Sequence, residues 1–506
     1  MCGFVGIIGL KNASRHVATA LQAIQHRGQD SAGIGTKKGN HFRLYKDLGL
    51  VHTIFAEDDL KRLEGSCALG HVRYPTMGSA SKEDAQPFYS RWPGIIMAHN
   101  GNIMNFEEMK KYLLDQSNYL SSRCDIEPVL YLLSSEIMKG NGKPKASYTV
   151  EDVLRGMAET YKVAKGAYSI VGIMNIEGED TLFVARDAYG IRPAMWGRKG
   201  DAYMVASESV CMDVMDFDTV GSVAPGEVIF FRPGKEPLRE SIDYKGKRPC
   251  IFEYIYFARP DSRINDDDVY KVRLKLGELL AEEWKERRGY ELDVVMPIPD
   301  TARPSTITFS EKVGVPVREG FIKNRYSGRT FIMPHQGARK SALRLKLNPI
   351  DAEVRGRRIL LIDDSIVRGN TLKQIVSTLE YKKPKEIHLA IYSPPVIHPC
   401  FYGIDMSTRN ELIAYQMMKE LGLDGESFDG ENLEKLEERM AKELGVDSLT
   451  FLSVGRLNRV FGKERCAACF DGDYPVPVPE DVKQCIIRDR ILQRGEKPED
   501  DAGDGE

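Results

Sequence analysis

The stretch Arg358-Ile-Leu-Leu-Ile362-Asp363-Asp364-Ser365-Ile366-Val367-Arg368-Gly369-Asn370-Thr371 runs from apolar to polar, then into Leu372, Ile375, Val376 and Leu379 at helical spacing. A short apolar run of this kind reads as a buried strand, and a polar loop containing glycine reads as the turn into a helix. Two carboxylates at a strand end can accept hydrogen bonds from sugar hydroxyls. Backbone N–H groups at the helix start, helped by the Ser365 and Thr371 hydroxyls, can hold a phosphate. Asp and Ser at such a joint serve equally well as plain helix caps, so the pair alone decides little. Outward from it, Tyr270–Arg288 reads as a long amphipathic helix, Asp293-Val-Val-Met-Pro-Ile-Pro299 as a second buried strand and Glu386–Tyr392 as a third. Strand, loop, helix and strand in this order predict a parallel α/β sheet, with ligands beyond the carboxyl ends of its strands.

The first half has another rhythm. Phe4–Gly9, Tyr168–Met174, Thr181–Val184, Ala202–Ala206 and Glu227–Phe231 read as strands, while Ser14–Gln25 and Asn105–Leu114 are helical. That pattern predicts a layered α+β domain rather than a βαβ repeat. A polar, Gly- and Pro-containing bridge places the boundary near residues 235–250. Gln416–Glu443 reads as an inserted polar helix, and the chain turns polar beyond Pro475, with an end expected to be disordered.

Composition narrows the class. The 506 residues are 42% hydrophobic and 29% charged, with 71 basic against 74 acidic side chains and a net charge of −3. Wholesale disorder and a polybasic nucleic-acid surface are therefore excluded. The longest apolar runs fall far short of a bilayer span, and the first residues lack a basic leader, so a cytoplasmic protein without membrane contact is expected. Nine cysteines are too few for a disulfide scaffold, and Cys466-Ala-Ala-Cys469 points to metal or redox chemistry.

Cys2 would carry both a thiol and a free α-amine if Met1 were removed. An amine titrating near about 8 is partly neutral at physiological pH and can serve as base for the thiol. Alone, Cys2 would read as a packed apolar cysteine. It is accompanied by His26-Arg27-Gly28-Gln29-Asp30-Ser31-Ala32-Gly33, Gly70-His71-Val72-Arg73-Tyr74-Pro75-Thr76, His99-Asn100-Gly101-Asn102-Ile103 and Arg186-Asp187 with Gly190-Ile191-Arg192-Pro193. Together these resemble the glutamine amidotransferases of the N-terminal-nucleophile class. The resemblance implies that Cys2 attacks the side-chain amide of glutamine, with Asn100 and Gly101 as the oxyanion hole. It implies that Arg73 holds the α-carboxylate and Asp125 the α-ammonium. His26, His71 and His99 are read as structural hydrogen-bonders, and Cys67, Cys124, Cys211 and Cys485 as structural.

The Asp363–Thr371 loop resembles the phosphoribosyltransferase signature for phosphoribosyl pyrophosphate (PRPP). Asp363, Asp364, Ser365, Val367, Arg368, Gly369, Asn370 and Thr371 are then PRPP-binding residues. Pro297-Ile298-Pro299-Asp300-Thr301-Ala302-Arg303-Pro304 stands where that family has its pyrophosphate loop. Lys323 and Arg329 begin a basic segment, continued by Arg339, Arg344 and Lys346, that is expected to close over substrate. Mg²⁺ contacts fall, by resemblance, on Thr301, Asp363 and Asp364.

The combination resembles the amidophosphoribosyltransferase family, iron–sulfur type. It implies an α+β N-terminal-nucleophile glutaminase domain over residues 2–235. An α/β phosphoribosyltransferase domain with a parallel sheet follows over 250–475, then a polar tail over 476–506. The implied reaction passes ammonia from glutamine to PRPP, giving phosphoribosylamine, pyrophosphate and glutamate, the entry step of purine synthesis. A [4Fe–4S] cluster on Cys250, Cys400, Cys466 and Cys469 is implied; four thiolates suit zinc as well. Feedback by purine nucleotides and a homotetramer are further implications. Two other readings remain open here: a glutaminase that feeds a different acceptor, and a non-catalytic relative that senses PRPP or nucleotides.

Overall fold

The computed structural model describes residues 2–74, 81–139, 147–324, 347–406, 408–423, 430–480, 482–484 and 488. Among the described residues, thirteen strands build the first half: β1 (Gly3–Ile8), β2 (Ser31–Lys38), β3 (His41–Leu48), β4 (Cys67–Arg73), β5 (Phe88–Ser90), β6 (Ile95–Ile103), β7 (Gly166–Ile176), β8 (Glu179–Arg186), β9 (Met195–Lys199), β10 (Ala202–Ala206), β11 (Asp218–Ser222), β12 (Glu227–Phe231) and β13 (Leu238–Ser241). One sheet has the order β11-β9-β10-β1-β4-β2-β3 and the other β13-β12-β8-β7-β6-β5.

Side-chain alternation explains the layering. Phe4 and Ile8 of β1 join Leu69, Ile96, Val171, Val184, Val205 and Phe231 in a core between the two sheets. Val5 and Ile7 point the other way, onto Val17 and Leu21 of helix α1 (Ala13–Ala23). The second sheet is covered on its outer face by α2 (Phe106–Leu114), α3 (Ile126–Lys139) and α4 (Val150–Val163), through Met109, Val129, Leu133, Val153 and Met157. Strands covered on both faces must be apolar throughout, which is why β1 reads as an unbroken apolar run. The result is four layers, helix–sheet–sheet–helix.

The second half opens with two short ribbon strands, β14 (Arg263–Ile264) and β15 (Asp267–Asp268). Helix α5 (Val269–Arg287) leads to β16 (Val294–Pro297) and α6 (Arg303–Val313). A small antiparallel pair, β17 (Phe321–Lys323) with β18 (Leu347–Pro349), stands apart from the main sheet. The parallel sheet has the order β16-β19-β20-β21, with β19 (Arg358–Asp363), β20 (Glu386–Ile391) and β21 (Ser448–Phe451). Leu276, Leu280, Trp284 and Phe309 cover one face, and α7 (Asn370–Glu380) covers the other through Leu372, Ile375, Val376 and Leu379.

One expectation is corrected. The segment 416–443 is not one polar helix: it belongs to α8 (Ile413–Glu420) and α9 (Glu431–Leu444). Leu433, Leu436, Met440 and Leu444 of α9 are buried against the parallel sheet. Its Glu437 is buried too, paired with Arg287 and Arg288, and accepts the N–H of Phe451 at 2.7 Å. The first-half sheet runs to Ser241, because β13 pairs with β12, so it ends inside the 235–250 stretch where the boundary is expected. The bridge that follows is pinned rather than loose: Lys245, Arg248 and Cys250 donate their N–H groups to Ala188, Tyr189 and Ile191 at 3.0, 2.7 and 3.2 Å. Met104, Ala167 and Ile191 of the first half share one apolar cluster with Ile251, Phe401 and Leu280 of the second. No helix among the described residues is long and apolar enough to cross a membrane.

Candidate active sites

Cys2 stands just before β1, between β10 and β4, with its thiol 3.5 Å from the carbonyl of Tyr74. Arg73 ends β4 and is buried. Burial alone would lower its pKa, but Cys124, Cys2, Asp84 and Asp125 around it outweigh that and hold the guanidinium charged. Ser207 ties the two sheets together here: its hydroxyl accepts the N–H of Phe4 at 3.1 Å and meets Asn100 Nδ2 at 3.5 Å. Asn100 Oδ1 has no hydrogen-bond partner among the described residues. Gly101 follows with φ +154°, and a Cβ on it would lie 2.1 Å from the carbonyl oxygen of Ala167. Only glycine fits.

Asp125 is buried at the head of α3. Its Oδ2 meets His99 Nε2 at 3.1 Å and accepts the N–H of Ile103 at 2.8 Å. Burial would raise its pKa; His99, that N–H and Arg73 more than offset this and keep the carboxylate below its ordinary value. His71 Nε2 lies 3.0 Å from the carbonyl of His99. The histidines of these motifs are thus engaged in holding the site together.

Beneath Cys2 is a buried network that the motif reading missed. Arg27 donates from Nε to the carbonyl of Cys2 at 3.0 Å, from Nη1 to Glu208 at 2.6 Å and from Nη2 to Glu253 at 2.8 Å. Glu208 also meets His26 Nε2 at 2.8 Å and accepts from Ser262 Oγ at 2.7 Å, and Arg192 reaches Glu253 at 3.2 Å. Although burial opposes it, His26 and Arg27 hold the Glu208 carboxyl far below the usual carboxylate range. Arg27 was visible within its motif, but nothing local in the sequence names Glu208 or Glu253 as its partners.

The second site lies at the carboxyl ends of β16 and β19. Asp364 is buried; burial pushes its carboxyl up to about 6, against the Ser365 and Thr301 hydroxyls and the charge of Arg273. Ser365 Oγ donates to it at 2.5 Å. Asp363 is also pushed up, by burial and by its neighbour Asp364. Thr301 follows the cis peptide Pro299–Asp300, and its carbonyl lies 3.4 Å from the buried Tyr392 hydroxyl, which donates to Ile255 O at 3.0 Å. Lys323 is ion-paired with Asp300, and Arg368 reaches Glu411 at 3.5 Å. Val367 is half-buried, whereas Asn370 and Thr371 are exposed at the start of α7. Gly369 precedes them at φ +74°. Arg329, His335, Arg339, Arg344 and Lys346 lie outside the described residues, as does Cys485.

Cys250, Cys400, Cys466 and Cys469 are all buried in the apolar cluster between the halves. Cys250 and Cys466 pair in a short parallel bridge, and the Cys469 carbonyl accepts the N–H groups of Ile397 and His398 at 3.0 and 3.1 Å, which brings the approach to Cys400 alongside. Burial pushes the Cys250 thiol up to about 11, with Glu253 and Cys400 adding to the rise and Arg192 opposing it. Cys466 and Cys469 are raised as well, by burial and then by the other cysteines. Among the described residues, no group of three or more His, Cys, Asp or Glu has the geometry to hold a single metal ion.

Residues 71–213 match the family described as a glutamine amidotransferase domain, and residues 267–393 match the phosphoribosyl transferase domain. The class of protein is therefore a glutamine amidotransferase joined to a phosphoribosyltransferase. The chain is 40% identical over 491 residues to the amidophosphoribosyltransferase of Methanothermobacter thermautotrophicus, covering 96% of each chain. It is 41% identical over 450 residues to that of Escherichia coli, covering 85% of this chain and 87% of the relative. A solved structure of the Bacillus subtilis glutamine PRPP amidotransferase, complexed with ADP and GMP, matches with a TM-score of 0.80 at 35% identity, covering 95% of this chain and 98% of that one. The chain belongs to the amidophosphoribosyltransferase family, glutamine-dependent pentosyltransferases of purine biosynthesis.

Proposed function

We propose that Cys2, freed of Met1, is the nucleophile that converts glutamine to glutamate, and that Asp363–Thr371 presents PRPP to the ammonia released. The Cys2 thiol adds to the amide carbon with its own α-amine as base. The tetrahedral intermediate expels ammonia and leaves a thioester, which water cleaves to glutamate. Asn100 and the Gly101 N–H face the oxyanion; turning the Asn100 amide over would put its NH₂ where the partnerless Oδ1 now points. Arg73, held charged, suits the α-carboxylate, and Asp125, held ionised, suits the α-ammonium.

At the second site, ammonia adds to C1 of the ribose as pyrophosphate leaves. Asp363 and Asp364 accept from the ribose hydroxyls, and the N–H groups at the start of α7 take the 5-phosphate. A buried and a half-buried carboxylate beside a hydroxyl are hard oxygen donors that fit Mg²⁺, and Thr301, Asp363 and Asp364 would hold it. When bound, it neutralises the departing pyrophosphate. Four buried cysteines gathered from three segments into one apolar cluster fit a group that takes thiolates, so Cys250, Cys400, Cys466 and Cys469 would hold a [4Fe–4S] cluster. Bound there, it would play a structural part, tying the 250, 400 and 466–469 segments together. Purine nucleotides are proposed as regulators, supported by the ADP and GMP named with the Bacillus subtilis structure.

The observation that carries this reading is Arg27, which touches the carbonyl of the nucleophile and, in the second half, Glu253. Cys2→Ala tests it. Glutamine-dependent phosphoribosylamine synthesis is expected to vanish while ammonia-dependent synthesis persists. No product from either nitrogen source would favour a PRPP sensor. Normal glutamine hydrolysis by protein that mass spectrometry shows to retain Met1 would sink the nucleophile assignment.

A further inference from the structure

We infer that Gly403, in the second half of the chain, is a positioning residue for the glutaminase: it packs directly on the Gly101 backbone and fixes it in place. The inference rests on the oxyanion-hole reading of Gly101 and extends it to a residue outside the glutaminase half.

Gly403 has φ +101°, and a Cβ there would stand 2.8 Å from Gly101 O, 2.9 Å from Gly101 C and 3.2 Å from Gly101 Cα. All three are backbone atoms, so neither side can yield by swinging a side chain. A Cβ on Gly101 itself would lie 2.1 Å from Ala167 O. The Gly101 backbone lies against both strand β7 and the 400–405 loop.

Two hydrogen bonds align the same loop. Asn102, buried next to Gly101, donates from Nδ2 to Phe401 O at 2.8 Å. Tyr74, whose carbonyl faces the Cys2 thiol, donates its hydroxyl to Asp405 at 2.9 Å. The loop is itself held firmly: Tyr402 donates to Val476 O at 2.6 Å and Tyr474 to Pro399 O at 2.6 Å. One rigid loop thus touches the nucleophile side and the oxyanion side of the glutaminase pocket together.

The consequence is chemical. A donor in an oxyanion hole acts only if it points at the developing charge, and losing one costs about 100- to 1000-fold in rate. A Cβ at position 403 must push Gly101 Cα and the carbonyl that follows it, and the Gly101 N–H, carried on the peptide before, shifts through the shared Cα. That weakens the transition-state contact without touching the groups that bind glutamine, so kcat falls and KM holds.

The test uses full-length Gly403→Ala, Asn102→Ala and, as a reference, Asn100→Ala, assayed for glutamine-dependent and ammonia-dependent synthesis. Gly403→Ala is expected to lower glutamine-dependent kcat at least tenfold, with KM for glutamine and ammonia-dependent kcat each within about twofold of the parent. Asn102→Ala should move in the same direction by less. Parent-like glutamine-dependent kcat in Gly403→Ala would overturn the inference, as would equal loss of both activities in Gly403→Ala and Asn102→Ala, the signature of general unfolding. If Asn100→Ala loses the glutaminase and Gly403→Ala does not, only this inference fails. If Asn100→Ala keeps it, the oxyanion-hole reading fails and the inference with it.

Discussion

Arg27 and Glu253 lie 226 positions apart in the chain, yet Arg27 Nη2 donates to both Glu253 oxygens, at 2.8 and 3.0 Å, with both side chains buried. The same guanidinium holds Glu208 and the Cys2 carbonyl. Without this cation both buried carboxylates are under-compensated, Glu208 left with His26 and Ser262 and Glu253 with Arg192.

Arg27→Met should therefore cost about 3–5 kcal/mol of stability, the penalty for leaving buried charge uncompensated. Urea unfolding reads it. Adding Glu253→Gln should return part of the loss, since one under-compensated carboxylate is then gone. A single variant as stable as the parent would remove the network from any account of the fold.

Asp364 makes a pH-dependent prediction. Its folded-state pKa of about 6 lies above the ordinary 3.8, because burial disfavours the charged form. Between those values the folded chain keeps a proton that the unfolded chain has released, so stability from this group is full below 3.8 and lost as pH rises through about 6. Asp364→Asn should stabilise the ligand-free protein at pH 8 by roughly 1–3 kcal/mol, and the gain should shrink towards zero below about pH 4. The same variant should lose PRPP turnover with either nitrogen source.

Gly369 turns the chain into α7 at φ +74°, and a Cβ there would also come within 2.7 Å of Ile413 Cδ1. The side-chain tip can move aside; the backbone conformation cannot be made cheap for an L side chain. Gly369→Ala should cost about 1–2 kcal/mol and raise KM for PRPP severalfold. Initial rates at varied PRPP check this, and an unchanged KM would detach the turn from phosphate binding.

Cys469→Ser should abolish visible absorption near the iron–sulfur charge-transfer bands and lower bound iron and sulfide in anaerobically purified protein. A stoichiometric zinc content in the parent, with no iron, would instead assign the four thiols to zinc.

Local pattern carried much of this protein. Ala202–Ala206 and Glu227–Phe231 are strands with the bounds their apolar runs announce, and Arg358–Asp363 leads into a helix where Leu372 and Ile375 begin their spacing. Those signals are periodicity and punctuation, which a few neighbouring residues express by themselves. The proposed nucleophile Cys2 and the paired carboxylates Asp363 and Asp364 could be picked out because the motifs around them are each short runs of neighbouring residues. The 416–443 segment shows the limit. Its charged residues dominate the reading, while Leu433, Leu436, Met440 and Leu444 on one face become a packing surface only once the parallel sheet is there to receive them. The folded chain alone decided which distant charges meet at Arg27 and which backbone rests on Gly101. Such contacts join segments hundreds of residues apart, and no short window of sequence encodes the distance between them.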